Sequence, residues 1–294
     1  MPPPYGCKIS AGHQVKPKIV RTVAALRRET AKWRAGGLSY AVVPTMGALH
    51  EGHLSLVREG RKRADRVITT IFVNPKQFAA HEDLGRYPRD EAGDVRKLGS
   101  AGTHLVFVPG AEEVYPAGFA TTISLAGPAT VGLEDKFRPQ FLVGVATVVA
   151  KLFIQTGADF AMFGEKDYQQ LLAVSRMAED LDIPIKVVGV PTVRESDGLA
   201  MSSRNAYLSQ AERKLAPAIY RELSQAAKKI RELSSSEAAT RAARRSLTSL
   251  GFKADYVSAR NAKTLAVPIA KNEPLRLLSA VWLGKTRLID NISV

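Results

Sequence analysis

Two histidines stand three residues apart in the run Pro44-Thr45-Met46-Gly47-Ala48-Leu49-His50-Glu51-Gly52-His53, where a short apolar strand passes into a helix. The unpaired amides and the dipole of a helix N-terminus attract an anion. Gly52, lacking a Cβ, lets the backbone come close. Two imidazoles at that mouth can donate hydrogen bonds to phosphate oxygens. The same residues also admit a capped helix start around one packed histidine, or a metal site. Their spacing differs from the His-Glu-x-x-His of zinc proteases.

A second run, Phe163-Gly164-Glu165-Lys166-Asp167-Tyr168-Gln169-Gln170, also follows a strand directly. Gly164 ends the strand, Asp167 is placed to cap the next helix, and Lys166 brings positive charge to that helix mouth. Ligands collect at such strand ends in open α/β sheets. A third run, Met201-Ser202-Ser203-Arg204-Asn205, supplies hydroxyls and a fixed cation suited to phosphate oxygens. Gln77, just past the strand end at Phe72-Val73, can both donate and accept. Asp90 and Asp94, about one helical turn apart, offer carboxylates to Mg²⁺. Taken singly, each of these is an ordinary turn or loop. Their shared placement after strands points to one cleft.

A strand-then-helix rhythm carries these residues. Ile19–Arg34 has helical periodicity, and Gly36-Gly37 stops it. Strands are expected at Ser39–Val43, Val67–Val73, His104–Val108, Ala158–Phe163 and Ile185–Val190, with a further strand-like run at Thr121–Leu125. Helices are expected from about Gly52, then over Glu91–Leu98, Val143–Ile154 and Tyr168–Leu181. Near-continuous apolar strands alternating with helices predict an α/β fold: a doubly wound, Rossmann-like parallel sheet covered on both faces. Past Pro191 the rhythm changes. Long helical stretches, Gln210–Leu233 and Glu237–Leu250, bracket a Ser234-Ser235-Ser236 linker and precede strands at Ala254–Ser258, Leu275–Trp282 and Thr286–Ile292. The expected division is a flexible tail over 1–17, a nucleotide-binding domain over 18–190, and a smaller α+β domain over 191–294.

The 294 residues are 45% hydrophobic and 24% charged, enough to bury a core without staples. The single cysteine, Cys7, excludes a disulfide scaffold and fits a reducing compartment. No apolar run approaches the ~18 residues of a membrane span; Phe141–Phe153 is interrupted by Lys151. The opening residues Met1–Gly6 show no apolar leader region. A cytoplasmic protein with no membrane partner is expected. The 42 Lys and Arg against 28 Asp and Glu leave a net charge of +14, which attracts polyanions. The basic residues are interleaved with acids along helical segments such as Arg58–Arg66, so no nucleic-acid partner is expected.

Together the segments Pro44–His53, Phe72–Phe78, Tyr87–Arg89, Arg138–Phe153, Phe163–Gln170 and Val188–Leu208 resemble the pantoate–β-alanine ligase family, over about Ile19 to Val294. That family belongs to the nucleotidylyltransferase-like superfamily. Its HxGH signature falls on His50 and His53, and Met201–Arg204 is similar to its KMSKS-type loop. The resemblance implies an ATP-dependent, AMP-forming condensation of (R)-pantoate with β-alanine through a pantoyl adenylate, in a homodimer. It implies catalytic roles for His50, His53, Lys166 and Arg204. It implies an ATP site over Met46, Gly47, Ala48, Leu49, His50, Glu51, Gly52, His53, Gly164, Glu165, Lys166, Asp167, Val193, Met201, Ser202, Ser203 and Arg204. Gln77 and Gln170 would hold pantoate, and Mg²⁺ would bridge the leaving phosphates, with Asp94 as its protein ligand. One stretch departs from the family pattern: Asp135 stands in place of Gly, Phe141 in place of His, and Leu142 in place of Phe.

Overall fold

Strand β1 (Lys18–Val20) leads through the cap of Thr22 into helix α1 (Val23–Ala35). Then follow β2 (Tyr40–Val43), α2 (Glu51–Arg63), β3 (Arg66–Thr70), α3 (Glu91–Ala101), β4 (Leu105–Phe107), the short α4 (Ala111–Val114) and α5 (Glu134–Phe137), α6 (Phe141–Thr156), β5 (Phe160–Gly164), α7 (Tyr168–Asp180) and β6 (Lys186–Val190). The remainder comprises α8 (Gln210–Leu215), α9 (Ala218–Arg231), α10 (Ser236–Ser249), β7 (Lys253–Asn261), β8 (Leu275–Leu283) and β9 (Thr286–Ser293). The computed structural model describes residues 16–79, 82–232, 235–270 and 272–294. Most of the expected tail, with Cys7, and Ser234 of the linker lie outside the described residues.

The six strands β1 to β6 pair in parallel in the order β1-β4-β3-β2-β5-β6. β2 is buried along its whole length, as expected of a strand covered on both faces. One face packs on α1, α6 and α7 through residues such as Leu26, Phe153 and Met177. The other packs on α2 and α3 through Val57 and Leu98. α6 is apolar nearly all round and is correspondingly buried. The chain progresses outward from β2 through β3, then returns to the other side of β2 with β5. The crevice between the carboxyl ends of β2 and β5 is therefore the topological switch point, where open α/β sheets bind ligands.

β7, β8 and β9 form a separate antiparallel sheet, with α9 and α10 packed on it around Leu223, Leu247 and Phe252. A small cluster of Leu133, Leu265 and Leu278, flanked by Tyr168 and Tyr256, joins this sheet to the parallel one.

Three expectations are corrected. The start of the first predicted helix is strand β1, because Lys18, Ile19 and Val20 pair in register with Leu105, Val106 and Phe107; the helix waits for Thr22, whose side chain accepts from the Ala25 amide. Thr121–Leu125 forms no strand among the described residues; the Ile123 amide donates to Thr147 Oγ1 instead. The predicted helix Gln210–Leu233 is divided into α8 and α9 at Pro217, which has no amide to continue the ladder.

Candidate active site

His50 is the N-cap of α2, in extended backbone. Its Nδ1 accepts from the Gly52 amide at 3.1 Å, and His53 Nδ1 accepts from the His50 amide at 3.4 Å. The histidines thus cap the helix reciprocally, with ring centroids 4.1 Å apart. A Cβ on residue 52 would lie 2.9 Å from the His50 ring, so only glycine lets that ring fold over the helix start. Since each Nδ1 is an acceptor, each neutral ring carries its proton on Nε2. Burial, then the charges of Lys166 and Lys97, lower the His50 pKa to about 4. Burial, then His50, Lys166 and Lys97, hold His53 well below the ordinary histidine range. At neutral pH both rings are uncharged N–H donors.

Asp94 supports this loop from α3. It is 1% exposed, and its Oδ2 and Oδ1 accept from the amides of Ala48 and Leu49 at 2.8 and 2.9 Å. Lys97 Nζ holds the Leu49 carbonyl at 2.8 Å. The Mg²⁺ role expected of Asp94 is therefore corrected to a buttressing one: both oxygens are already occupied by loop amides, and the residue does not line the cleft. The same bonds correct the expectation for Ala48 and Leu49, whose amides face Asp94 rather than a ligand. The Gly47 amide likewise turns to Thr45 Oγ1 at 3.2 Å, and Glu51 is exposed and paired with Arg58.

The cleft at the switch point has a volume of about 450 Å³. Met46, His50, Gly52 and His53 line one side; Gly164, Lys166, Asp167 and Gln170 come from the β5–α7 turn; Val193, Met201, Ser202, Ser203 and Arg204 close the other; Gln77 stands on the floor. Among the described residues, Gly47, Ala48, Leu49, Glu51, Glu165 and Asp94 do not line it. Glu165 points away, to Arg276 at 3.0 Å. Asp167 holds the N-cap position of α7 but makes no side-chain capping bond, contrary to expectation; its Oδ2 lies 3.6 Å from Lys166 Nζ.

Gln77 is buried, with its Oε1 accepting from Asn74 Nδ2 at 3.0 Å and its Nε2 3.1 Å from Met46 Sδ. Helix α6 comes so close to this turn that a Cβ on Gly144 would sit 2.3 Å from the Lys76 carbonyl. The departing residues have structural partners. Asp135 accepts from the Gly132 and Leu133 amides and from Gln169 Nε2. Phe141 lies under the Arg138 guanidinium, 3.8 Å from ring centroid to Cζ, while Arg138 pairs with Glu82 at 2.7 Å.

The loop carrying Arg204 is tied across the cleft. Arg204 Nε and Nη2 donate to Asp83 at 3.1 and 2.9 Å, and Ser203 Oγ lies 3.3 Å from Tyr87 OH. Burial pushes the Asp83 carboxyl up, but Arg204 outweighs it and holds the group below its usual value. Deeper in, Arg287 grips Glu134 with bonds of 2.8 and 2.9 Å, and Tyr256 OH donates to Glu134 at 2.8 Å. Asp83, Glu134, Tyr256 and Arg287 carry no signal in the sequence pattern, since their partners lie 121 to 153 positions away. Among the described residues no group of three His, Cys, Asp or Glu side chains is arranged to hold a metal ion. The cleft acids Asp83, Glu134, Asp255 and Asp290 are each paired with an arginine.

Residues 18–293 match the model of a family described as pantoate-beta-alanine ligase. The chain is 55% identical over 280 residues to the pantothenate synthetase of Rhodopseudomonas palustris strain BisA53, covering 95% of this chain and 99% of the relative. It is also 55% identical to that of Caulobacter vibrioides, with the same coverage. Among solved structures, the pantothenate synthetase of Thermus thermophilus superposes with a TM-score of 0.85 at 45% identity, over 94% of this chain and 98% of the other. The pantoate-beta-alanine ligase of Francisella tularensis, solved with beta-gamma ATP and beta-alanine, superposes with a TM-score of 0.78 at 32% identity, over 94% and 97% of the two chains.

Proposed function

The chain belongs to the pantoate-beta-alanine ligase family, and from the cleft we propose that it condenses (R)-pantoate with β-alanine through a pantoyl adenylate, releasing AMP and diphosphate. The observation that carries this reading is convergence. Two neutral Nε2–H donors, Lys166, and the hydroxyl-and-guanidinium loop Ser202–Arg204 face one cleft that also holds Gln77 and Gln170. The ATP and β-alanine bound by the Francisella relative support it.

In the first step a pantoate carboxylate oxygen attacks the α-phosphorus, the bond from that phosphorus to the bridging oxygen breaks, and diphosphate leaves. Such a transfer needs positioning and charge stabilisation more than covalent help. His50 and His53 hydrogen-bond the phosphate oxygens as charge shifts onto the leaving group. Lys166 and Ser202–Arg204 neutralise the same oxygens, the latter when Arg204 exchanges Asp83 for phosphate. Val193 meets the adenine, and Gly164 and Asp167 shape the nucleoside end. Gln77 and Gln170 hold pantoate by its hydroxyl and carboxylate. In the second step the β-alanine amine attacks the acyl carbon, and AMP departs with the bonding pair. Mg²⁺ binds through the triphosphate and water, with Asp167 the nearest cleft carboxylate, because no protein cage is present among the described residues.

The protein works in the cytoplasm as a homodimer, with residues 18–190 and 191–294 moving as two bodies about the cleft; their separate cores support the division. No helix of the described residues is long and apolar enough to cross a membrane. The test is release of diphosphate and AMP with ATP, pantoate and β-alanine, each omitted in turn. Product with the mass of pantothenate only when all three are present supports the reading; turnover of ATP without pantoate at the full rate overturns it.

A further inference from the structure

The turn Glu165–Asp167 carries Lys166 into the cleft, yet nothing nearby in the chain holds it. Its own cap residue, Asp167, makes no side-chain bond to the helix it precedes. The holding groups come from the other sheet. Asn291 of β9, 3% exposed, donates its two Nδ2 hydrogens to the Glu165 and Lys166 carbonyls at 2.9 and 2.8 Å. Its Oδ1 accepts from Arg276 Nε at 2.6 Å, and Arg276 Nη2 reaches back to Glu165 Oε2 at 3.0 Å. The Arg276 guanidinium also lies 4.1 Å over the Tyr168 ring, and Tyr168 OH donates to the Ala262 carbonyl at 2.9 Å. Every donor and acceptor of the Asn291 side chain is thus committed to the turn or to the arginine that grips it.

We infer that Asn291 is a positioning residue for Lys166: it fixes the cationic turn in register with the phosphate-binding loop, and does so only while β9 is seated against the parallel sheet. This rests on the reading that Lys166 serves the triphosphate. The physical reason is the absence of a local alternative. A turn at a helix mouth without a side-chain cap is free to fray, and two carbonyls pinned by one buried amide remove that freedom. The device also makes Lys166 answer to the seating of the C-terminal sheet. A displaced sheet withdraws both donors at once, so the cation is in place only when the cleft is walled on both sides. Asparagine is specified by the geometry. An aspartate of the same shape would set carboxylate oxygens against two carbonyl oxygens, and a serine would be too short to span both.

The test uses the full chain carrying Asn291→Asp, with Asn291→Ser as the second variant should the aspartate fail to fold. Two readouts are taken. Amide exchange over residues 164–168 is expected to quicken at least about tenfold, while the β2 strand is unchanged. The single-turnover rate of diphosphate formation is expected to fall about 10²-fold with pantoate affinity unaltered, as for a misplaced catalytic group. In a Lys166→Ala background the same substitution is expected to cost less than about twofold, because the group it positions is gone. Unchanged exchange at 164–168, or an equal loss in the Lys166→Ala background, overturns the inference. If Lys166→Ala itself keeps the parent rate, the triphosphate role of Lys166 is what fails, and the exchange readout still decides whether Asn291 holds the turn.

Discussion

His50 and His53 are held by amides within three positions of themselves, with Asp94 closing the loop from the adjoining helix. Arg204 and Lys166 are held by Asp83 and Asn291, 121 and 125 positions away. One side of the cleft is self-supporting and belongs to a single packed sheet; the other is assembled from pieces that meet only when the C-terminal sheet is seated. The difference separates two kinds of catalytic contribution. The histidines are preorganised donors whose geometry survives any movement of the second body. The cations are conditional and come with closure, which also keeps water from a hydrolysable acyl phosphate.

The sharpest way to break this contrast is at the rigid side. His53→Ala should lose about 10²–10³ of the single-turnover adenylation rate while the protein keeps its circular dichroism and melting transition, the cost of one preorganised donor. Near-parental adenylation would remove His53 from the chemistry.

A substitution on the conditional side should act on motion as well as rate. Arg204→Ala leaves Asp83, whose side chain is 13% exposed, without its partner. Amide exchange over residues 82–87 and 196–208 should then quicken, and ATP with Mg²⁺ should no longer slow it as in the parent. Arg204→Lys should restore protection only in part, because an ammonium lacks the planar fork that meets both carboxylate oxygens. Equal exchange in parent and Arg204→Ala at saturating ATP would make the loop a plain surface turn.

Asp94→Asn sharpens the comparison from beneath the histidines. One loop amide would keep an acceptor and the other would face an NH₂ group, so urea unfolding should report a loss of about 1–3 kcal/mol. Exchange at 196–208 should stay as in the parent. An unchanged midpoint would mean the loop stands without its buttress.

These contacts also show why the two sides differ in legibility. The reciprocal cap of His50, Gly52 and His53 spans one helical turn, and short-range chemistry of that kind is written in residue spacing. The alternation of buried strands with helices was equally legible, because each strand is apolar along its run. Strand β1 was not: three residues at a sheet edge carry no periodicity, and only pairing with β4 makes them a strand. Asp94 was found by position but misread in role, since spacing gives no direction for a buried carboxylate. Asp83, Glu134 and Asn291 were invisible, because nothing local marks a side chain whose partner lies more than a hundred residues away.

The smallest effect is on pH dependence. His50 and His104 titrate at about 4 in the folded chain against 6.5 for a free histidine, both chiefly through burial. Their stabilising contribution is whole above pH 6.5 and is lost as the pH falls toward about 4, because the unfolded chain takes up protons first. The urea midpoint should therefore decline over that window, and less steeply in His104→Gln, which lies outside the cleft. The adenylation rate should show no inflection near 6.5 from His50; a titration there would mean that the ring is charged in the working enzyme.

The most direct test of the account is exchange of labelled diphosphate into ATP by the unmodified protein. Formation of a pantoyl adenylate before the amine arrives predicts rapid exchange with ATP and pantoate present and β-alanine absent, and none when pantoate is withheld. Exchange that appears only once β-alanine is added would contradict it, since the amine would then be required for diphosphate to leave.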